Sequence, residues 1–119
     1  MQASTPRLRT IFGNILDNAV FYSPAQGIVT VSVSSDEKNV HIAIRDHGPG
    51  VPDEKLREIF RAFYRVDESR ARASGGAGLG LALAQAEAVR MGGGITAQNA
   101  RPGLLVTVTL PLLEENGNT

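Results

Sequence analysis

Asn14-Ile15-Leu16-Asp17-Asn18-Ala19 sets two carboxamides one helical turn apart. Residues spaced by four share one face of a helix, so Asn14 and Asn18 project together. Around them Leu8, Ile11, Phe12, Ile15, Leu16 and Ala19 recur at helical spacing, and Ser4-Thr5-Pro6 offers a cap and a first-turn proline. A helix is predicted from about residue 6 to 22. Two glycine-rich turns follow at a distance, Asp46-His47-Gly48-Pro49-Gly50 and Gly76-Ala77-Gly78-Leu79-Gly80. Such turns let backbone amides approach an anion closely.

The segments between these motifs alternate in type. Ile28 to Ser34 and Val40 to Arg45 alternate apolar and polar residues across the polar turn Asp36-Glu37-Lys38-Asn39, and read as a hairpin ending at Asp46. Pro52-Asp53-Glu54 starts a short helix to about Phe60. A longer helix begins near Gly78 and stops at Met91-Gly92-Gly93-Gly94, where glycines more readily end a helix than bind a ligand. Ile95 to Gln98 and Leu104 to Leu110 are the expected closing strands. Residues 61–77 carry no periodic apolar pattern, and so long a segment inside a small domain argues for a functional lid. The expected organisation is one domain over residues 1–113, with a flexible tail at 114–119.

Composition bounds the function classes. The chain has 119 residues, 12 Lys+Arg against 12 Asp+Glu, and no cysteine. One domain with a modest core fits that length. Zero net charge gives no electrostatic footprint for nucleic acid, and disulfide staples or cysteine-ligated zinc are excluded. No apolar run nears the roughly 18 residues needed to span a bilayer, and no signal peptide is evident, so a cytoplasmic domain without direct membrane contact is expected. A larger parent, such as an inner-membrane sensor, remains compatible with that.

Four motifs in order carry a resemblance. Residues 8–23 resemble the N box of the catalytic, ATP-binding domain of sensor histidine kinases, in the superfamily shared with gyrase, the heat-shock chaperone ATPases and MutL. Asp46 to Gly50 resembles its first glycine box, Ile59 to Asp67 its F box, and Gly76 to Gly80 its second glycine box. Each is weak alone, but the ordered set covers nearly the whole chain. No Gly-Lys-Ser/Thr is present for a Walker-type loop, and the polar segment before Gly76 does not suit a dinucleotide fingerprint.

The resemblance implies a two-layer α/β sandwich of the Bergerat type, with a mixed sheet and about three helices. It further implies ATP and magnesium, with phosphoryl transfer to a histidine. Asn18 would hold the metal, for which a carboxamide oxygen is a suitable hard donor. Asp46 would accept the adenine exocyclic amine. Gly48, Gly50, Gly76, Gly78, Leu79 and Gly80 would line the nucleotide together with Tyr22, and Arg65 would neutralise charge at the terminal phosphates. Superfamily ATPases have a water-activating glutamate at the position of Asn14; an amide cannot act as a general base, so Asn14 favours transfer to a protein side chain.

Phe60, Phe63 and Tyr64 suit a core, His41 a structural role, and His47 the border of the base pocket. One position departs from the family: Phe21 stands where Lys or Arg usually faces phosphate. No His-Glu/Asp-Leu-Arg-Thr-Pro-like segment occurs. The phosphoacceptor and dimerisation domain of the same sensor is therefore the expected partner, and a response regulator an indirect one. Two alternatives to a kinase domain are a superfamily ATP hydrolase and a non-catalytic nucleotide-binding module.

Overall fold

The computed structural model describes residues 5–22, 27–61 and 80–112, with Phe21 and Tyr22 described for their backbone only. Arg65, Gly76, Gly78, Leu79, the tail at 114–119 and all but residue 61 of the expected lid lie outside the described residues.

Helix α1 spans Thr5–Tyr22. Ile11, Ile15 and Ala19, one turn apart in succession, are all buried, which fixes the face it turns to the core. Helix α2, Gly80–Arg90, buries Leu81, Ala84 and Ala88 in the same way. The small side chains Ala19, Ala84 and Ala88 let the helices approach closely, and Arg7 Nε donates to Glu87 Oε1 across them at 3.0 Å. α2 ends in a glycine-capped turn: Gly92 at φ 87 donates to Val89 O, and Gly93 to Ala88 O, both at 2.9 Å. These glycines close a helix, as their sequence context suggested.

Strands β1 (Thr30–Ser35), β2 (Asn39–Arg45), β3 (Gly94–Asn99) and β4 (Leu104–Pro111) form one sheet in the order β1-β2-β4-β3. Every described pair is antiparallel, which corrects the expectation of a mixed sheet. The chain leaves β2, passes through helical segments and returns in β3, running in the same direction. The two do not touch, because β4 folds back between them; Ile42 of β2 and Ile95 of β3 both pair with Val108. The two-layer α/β class itself holds, with the helices packed on one sheet face.

Alternation sorts the two faces. Ile42, Ile44, Val106, Val108 and Ile95 turn to the helices, while His41, Arg45, Thr107, Thr109 and Thr96 turn away. On β1 the helix-side residues Val31 and Val33 stay 52% and 67% exposed, since the helices cover the β2–β4–β3 side of the sheet. An open apolar groove of about 630 Å³ results there, lined by residues including Leu8, Phe12, Val31 and Ile42.

Two boundaries moved. The first strand begins at Thr30 because its last rung pairs Thr30 with Arg45, and the Ile28 carbonyl accepts instead from His47 Nδ1 at 2.8 Å. The short helix after Pro52 is two 3-10 turns, Asp53–Lys55 and Glu58–Phe60, closed by Lys55 N to Pro52 O and Arg61 N to Glu58 O. So few residues cannot sustain an α-helix by themselves. Burial of Ile59 holds the second turn in place, and half-buried Phe60 packs against the core as expected.

Candidate functional site

Asp46 follows the last residue of β2 and is the only buried charged side chain among the described residues, 4% exposed. Its main-chain N–H extends the ladder to Leu104 O at 3.1 Å. Its Oδ1 accepts from Gly48 N at 2.9 Å and from Leu104 N at 3.2 Å. Among the described residues no donor reaches Oδ2. The carboxylate is thus oriented by two main-chain donors through one oxygen, while the other keeps its acceptor capacity. That arrangement can read a hydrogen-bond donor on a flat ligand edge.

The turn that supplies Leu104 presses tightly on Asp46. A Cβ at Gly103, which has φ 96, would lie 1.8 Å from the Asp46 carbonyl oxygen, so only glycine allows the approach. Arg45 caps the same turn, its NH2 group donating to Pro102 O at 3.0 Å and Ala100 O at 3.4 Å. The far end of the glycine box is held too. Asn99 accepts from Val51 N at 2.9 Å and donates to Val51 O and to Asp53 Oδ1. Arg101 then donates to both oxygens of Asp53 at 2.9 Å. The Asn99 hydrogen bond, followed by the charge of Arg101, holds the Asp53 carboxyl below the ordinary carboxylate range.

Both glycines of this box have internal uses. The Gly48 amide orients Asp46, and the space a Gly50 side chain would take, at φ 75, is filled by Asn99 Oδ1 and Gly103 O. His47 ties the start of the hairpin down through Ile28, beside the carboxylate it follows in sequence.

A second group gathers where the helices meet. Asn14 Nδ2 donates back to Thr10 O at 2.7 Å, leaving Oδ1 turned to the first residue of α2; a Cβ on Gly80 would stand 3.2 Å from it. Asn18 lies one turn further along the same face of α1, half-buried. Residues 66 positions apart are thereby brought together, with the first described turn of α2 set beside Asn14. The oxygen character of this donor set fits a hard cation that shares its shell with phosphates and water. Among the described residues no cluster of three or more His, Cys, Asp or Glu forms a separate metal site.

His41 has the structural role expected of it: Nε2 meets Asp36 Oδ2 and Nδ1 meets Thr109 Oγ1, each at 3.1 Å. Asn99, Arg101, Asp53 and Gly103 were not anticipated. Pro102-Gly103 marks a turn, but nothing local tells that Asn99 reaches a loop 48 residues away.

A buried, oriented carboxylate at a strand end before a glycine-rich turn, with Asn14 of one helix set against the first described residue of another, defines a class. The chain belongs to the family of histidine kinase-, DNA gyrase B- and HSP90-like ATPases, which it matches over residues 3–114. It is 40% identical over 112 residues to the sensor histidine kinase WalK of Bacillus subtilis (strain 168), covering 92% of this chain and 18% of WalK. With the histidine-protein kinase BaeS of Escherichia coli (strain K12) the identity is 39% over 107 residues, 89% of this chain and 23% of BaeS. The chain thus spans less than a quarter of either relative.

Among solved structures it is similar to the mycobacterial sensor histidine kinase MprB, with a TM-score of 0.80, 30% identity, and coverage of 92% of this chain and 72% of that one. Full-length ShkA, solved in complex with AMPPNP, gives a TM-score of 0.73 and 32% identity over 88% of this chain and 21% of that one. Among the described residues no helix is long and apolar enough to cross a membrane.

Proposed function

We propose that this chain is the ATP-binding catalytic domain of a two-component sensor kinase, and that it presents the γ-phosphoryl group of ATP to a histidine on a dimerisation and phosphoacceptor domain elsewhere in the parent. The observation that carries this reading is Asp46: a buried carboxylate with one oxygen saturated by main chain and the other available to the adenine amine. A pocket built around such a donor rejects bases lacking it. The similarity to ShkA, solved with AMPPNP, supports the same ligand class.

Asn18 would hold magnesium, which supplies charge neutralisation between the phosphates. The first-turn amides of α2, with Gly80, would receive the phosphates, and Arg65 would add positive charge near the terminal one. Gly76, Gly78, Leu79 and Tyr22 complete the proposed nucleotide contacts. Asn14 favours transfer over hydrolysis, since its amide is held by Thr10 and offers no base for water. In the parent, the domain works on the side of the membrane that holds ATP, and a response regulator takes the phosphoryl group from the histidine.

The test mixes this chain with γ-labelled ATP, magnesium and the acceptor domain of its parent. Acid-labile, base-stable phosphate is expected on the acceptor and none on this chain alone. Labelling of the isolated chain, or release of inorganic phosphate without a labelled acceptor, would overturn the reading.

A further inference from the structure

The loop from Asp46 to Val51 is gripped at both ends by the β3–β4 hairpin. Leu104 holds Asp46 through two main-chain bonds, one to its backbone and one to its side chain. Asn99 holds Val51 differently. Its carboxamide has the donor and acceptor layout of a peptide group, and it pairs with both the N–H and the C=O of Val51, as a neighbouring strand would. The second hydrogen of the same amide goes to Asp53, itself fixed by Arg101.

Gly50 makes the grip possible. A Cβ there would come within 2.6 Å of Asn99 Oδ1. The lowered carboxyl of Asp53 fits the same picture, because the Asn99 bond is its largest cause.

We propose that Asn99 is a positioning residue for base recognition: by pinning Val51 to the end of β3 it fixes the Asp46–Val51 loop in its ligand-ready shape. The inference rests on the adenine reading of Asp46. Without the pin, the far side of Gly48, Pro49 and Gly50 is held only by the packing of Val51 and the exposed Arg101–Asp53 pair, and the two flanking glycines give the loop many other conformations. Ordering them then falls to the ligand, which weakens binding. Asn99 itself touches no nucleotide in this account.

The experiment is calorimetric titration of ATP and of inosine triphosphate, whose base carries a carbonyl in place of the amine, into this chain and its Asn99→Ala and Asn99→Asp variants. Melting temperatures are recorded so that each titration is run on folded protein. Asn99→Asp keeps the side-chain volume and the acceptor for Val51 N–H but cannot donate to Val51 O, so it keeps the test open if alanine loosens the fold.

Both variants should bind ATP about fivefold to tenfold more weakly, a fraction of the worth of the three hydrogen bonds that alanine removes and the two that aspartate removes. Their preference for ATP over inosine triphosphate should narrow, because a loosened loop aims Asp46 less well. ATP affinity within twofold of the unmodified chain would overturn the proposal. So would equal losses for both nucleotides, which indicate a role in stability alone. Asp46→Asn separates the two levels: if it abolishes the preference for ATP while the Asn99 variants keep it, only the role of Asn99 falls; if it leaves the preference intact, the adenine reading falls with it.

Discussion

The two ends of the candidate site are built in opposite ways. The end proposed to read the base joins parts of the chain far apart in sequence: Asp46 is oriented by Leu104, 58 residues on, and Val51 by Asn99, 48 residues on. The end proposed to hold metal and phosphates begins from a local pattern, Asn14 and Asn18 one turn apart on α1, with the start of α2 set against Asn14. The first is a stapled loop at the end of a sheet. The second is a helix face, whose geometry comes with the helix.

The difference teaches where each end tolerates change. A stapled loop depends on close approaches, so added atoms act on its shape and on the strands that hold it. A helix face keeps its geometry when a side chain is shortened, so loss there falls on chemistry more than on folding.

The largest expected effect follows at Gly103. Gly103→Ala places a methyl group against the Asp46 carbonyl at a φ of 96, adding backbone strain to overpacking. A loss on the order of 3 kcal/mol or more is expected in urea unfolding. A loss under about 1 kcal/mol would mean that the hairpin and loop separate easily, and the contrast between the two ends would break.

Asn14→Ala should do the reverse. It removes one side-chain bond to Thr10 but replaces a poor helix former with the best one, so stability should stay within about 1 kcal/mol. Phosphoryl transfer to the acceptor domain should nevertheless fall at least severalfold if Asn14 lies beside the phosphates. Retained transfer at the unmodified rate would remove Asn14 from the site.

The smallest effect lies away from both ends, in the β1–β2 turn. Asp36 accepts from His41 and from the Lys38 and Asn39 amides, and its pKa is lowered to about 2 from 3.8. A depressed carboxyl contributes stability that is present above pH 4 and lost as pH falls toward 2. This carboxyl is well exposed, so the loss should be slight. Comparing acid unfolding of the unmodified chain with Asp36→Asn measures it; identical profiles from pH 4 to 2 would contradict the assignment.

How far the molecule can be read from its sequence tracks the same contrast. Helical periodicity finds α1, and alternation finds the β1–β2 hairpin, because each pattern is carried by neighbours within one element. Asn14 and Asn18 are legible for that reason. Asp46 is legible as a carboxylate at a strand end before a glycine turn. The antiparallel order is not, because it depends on β4 inserting between β2 and β3, a choice of pairing and not of local pattern.

Gly50 illustrates the limit best. Its sequence context suggests a turn whose backbone can approach an anion, and nothing in it tells that its side is filled by Asn99 and Gly103 from another part of the fold. Asn99 gives no local sign of its partner, since an asparagine at a strand end suits many turns.

The central claim is that Asp46 reads adenine. Asp46→Asn is well suited to test it, because an amide can keep its oxygen on the Gly48 and Leu104 amides and so preserve the loop, while its nitrogen meets the ligand amine donor to donor. Titration calorimetry with ATP and magnesium should show a loss of about tenfold to a hundredfold in affinity, with the fold intact by melting. Near-unchanged affinity in the folded variant would contradict the account and move the base elsewhere.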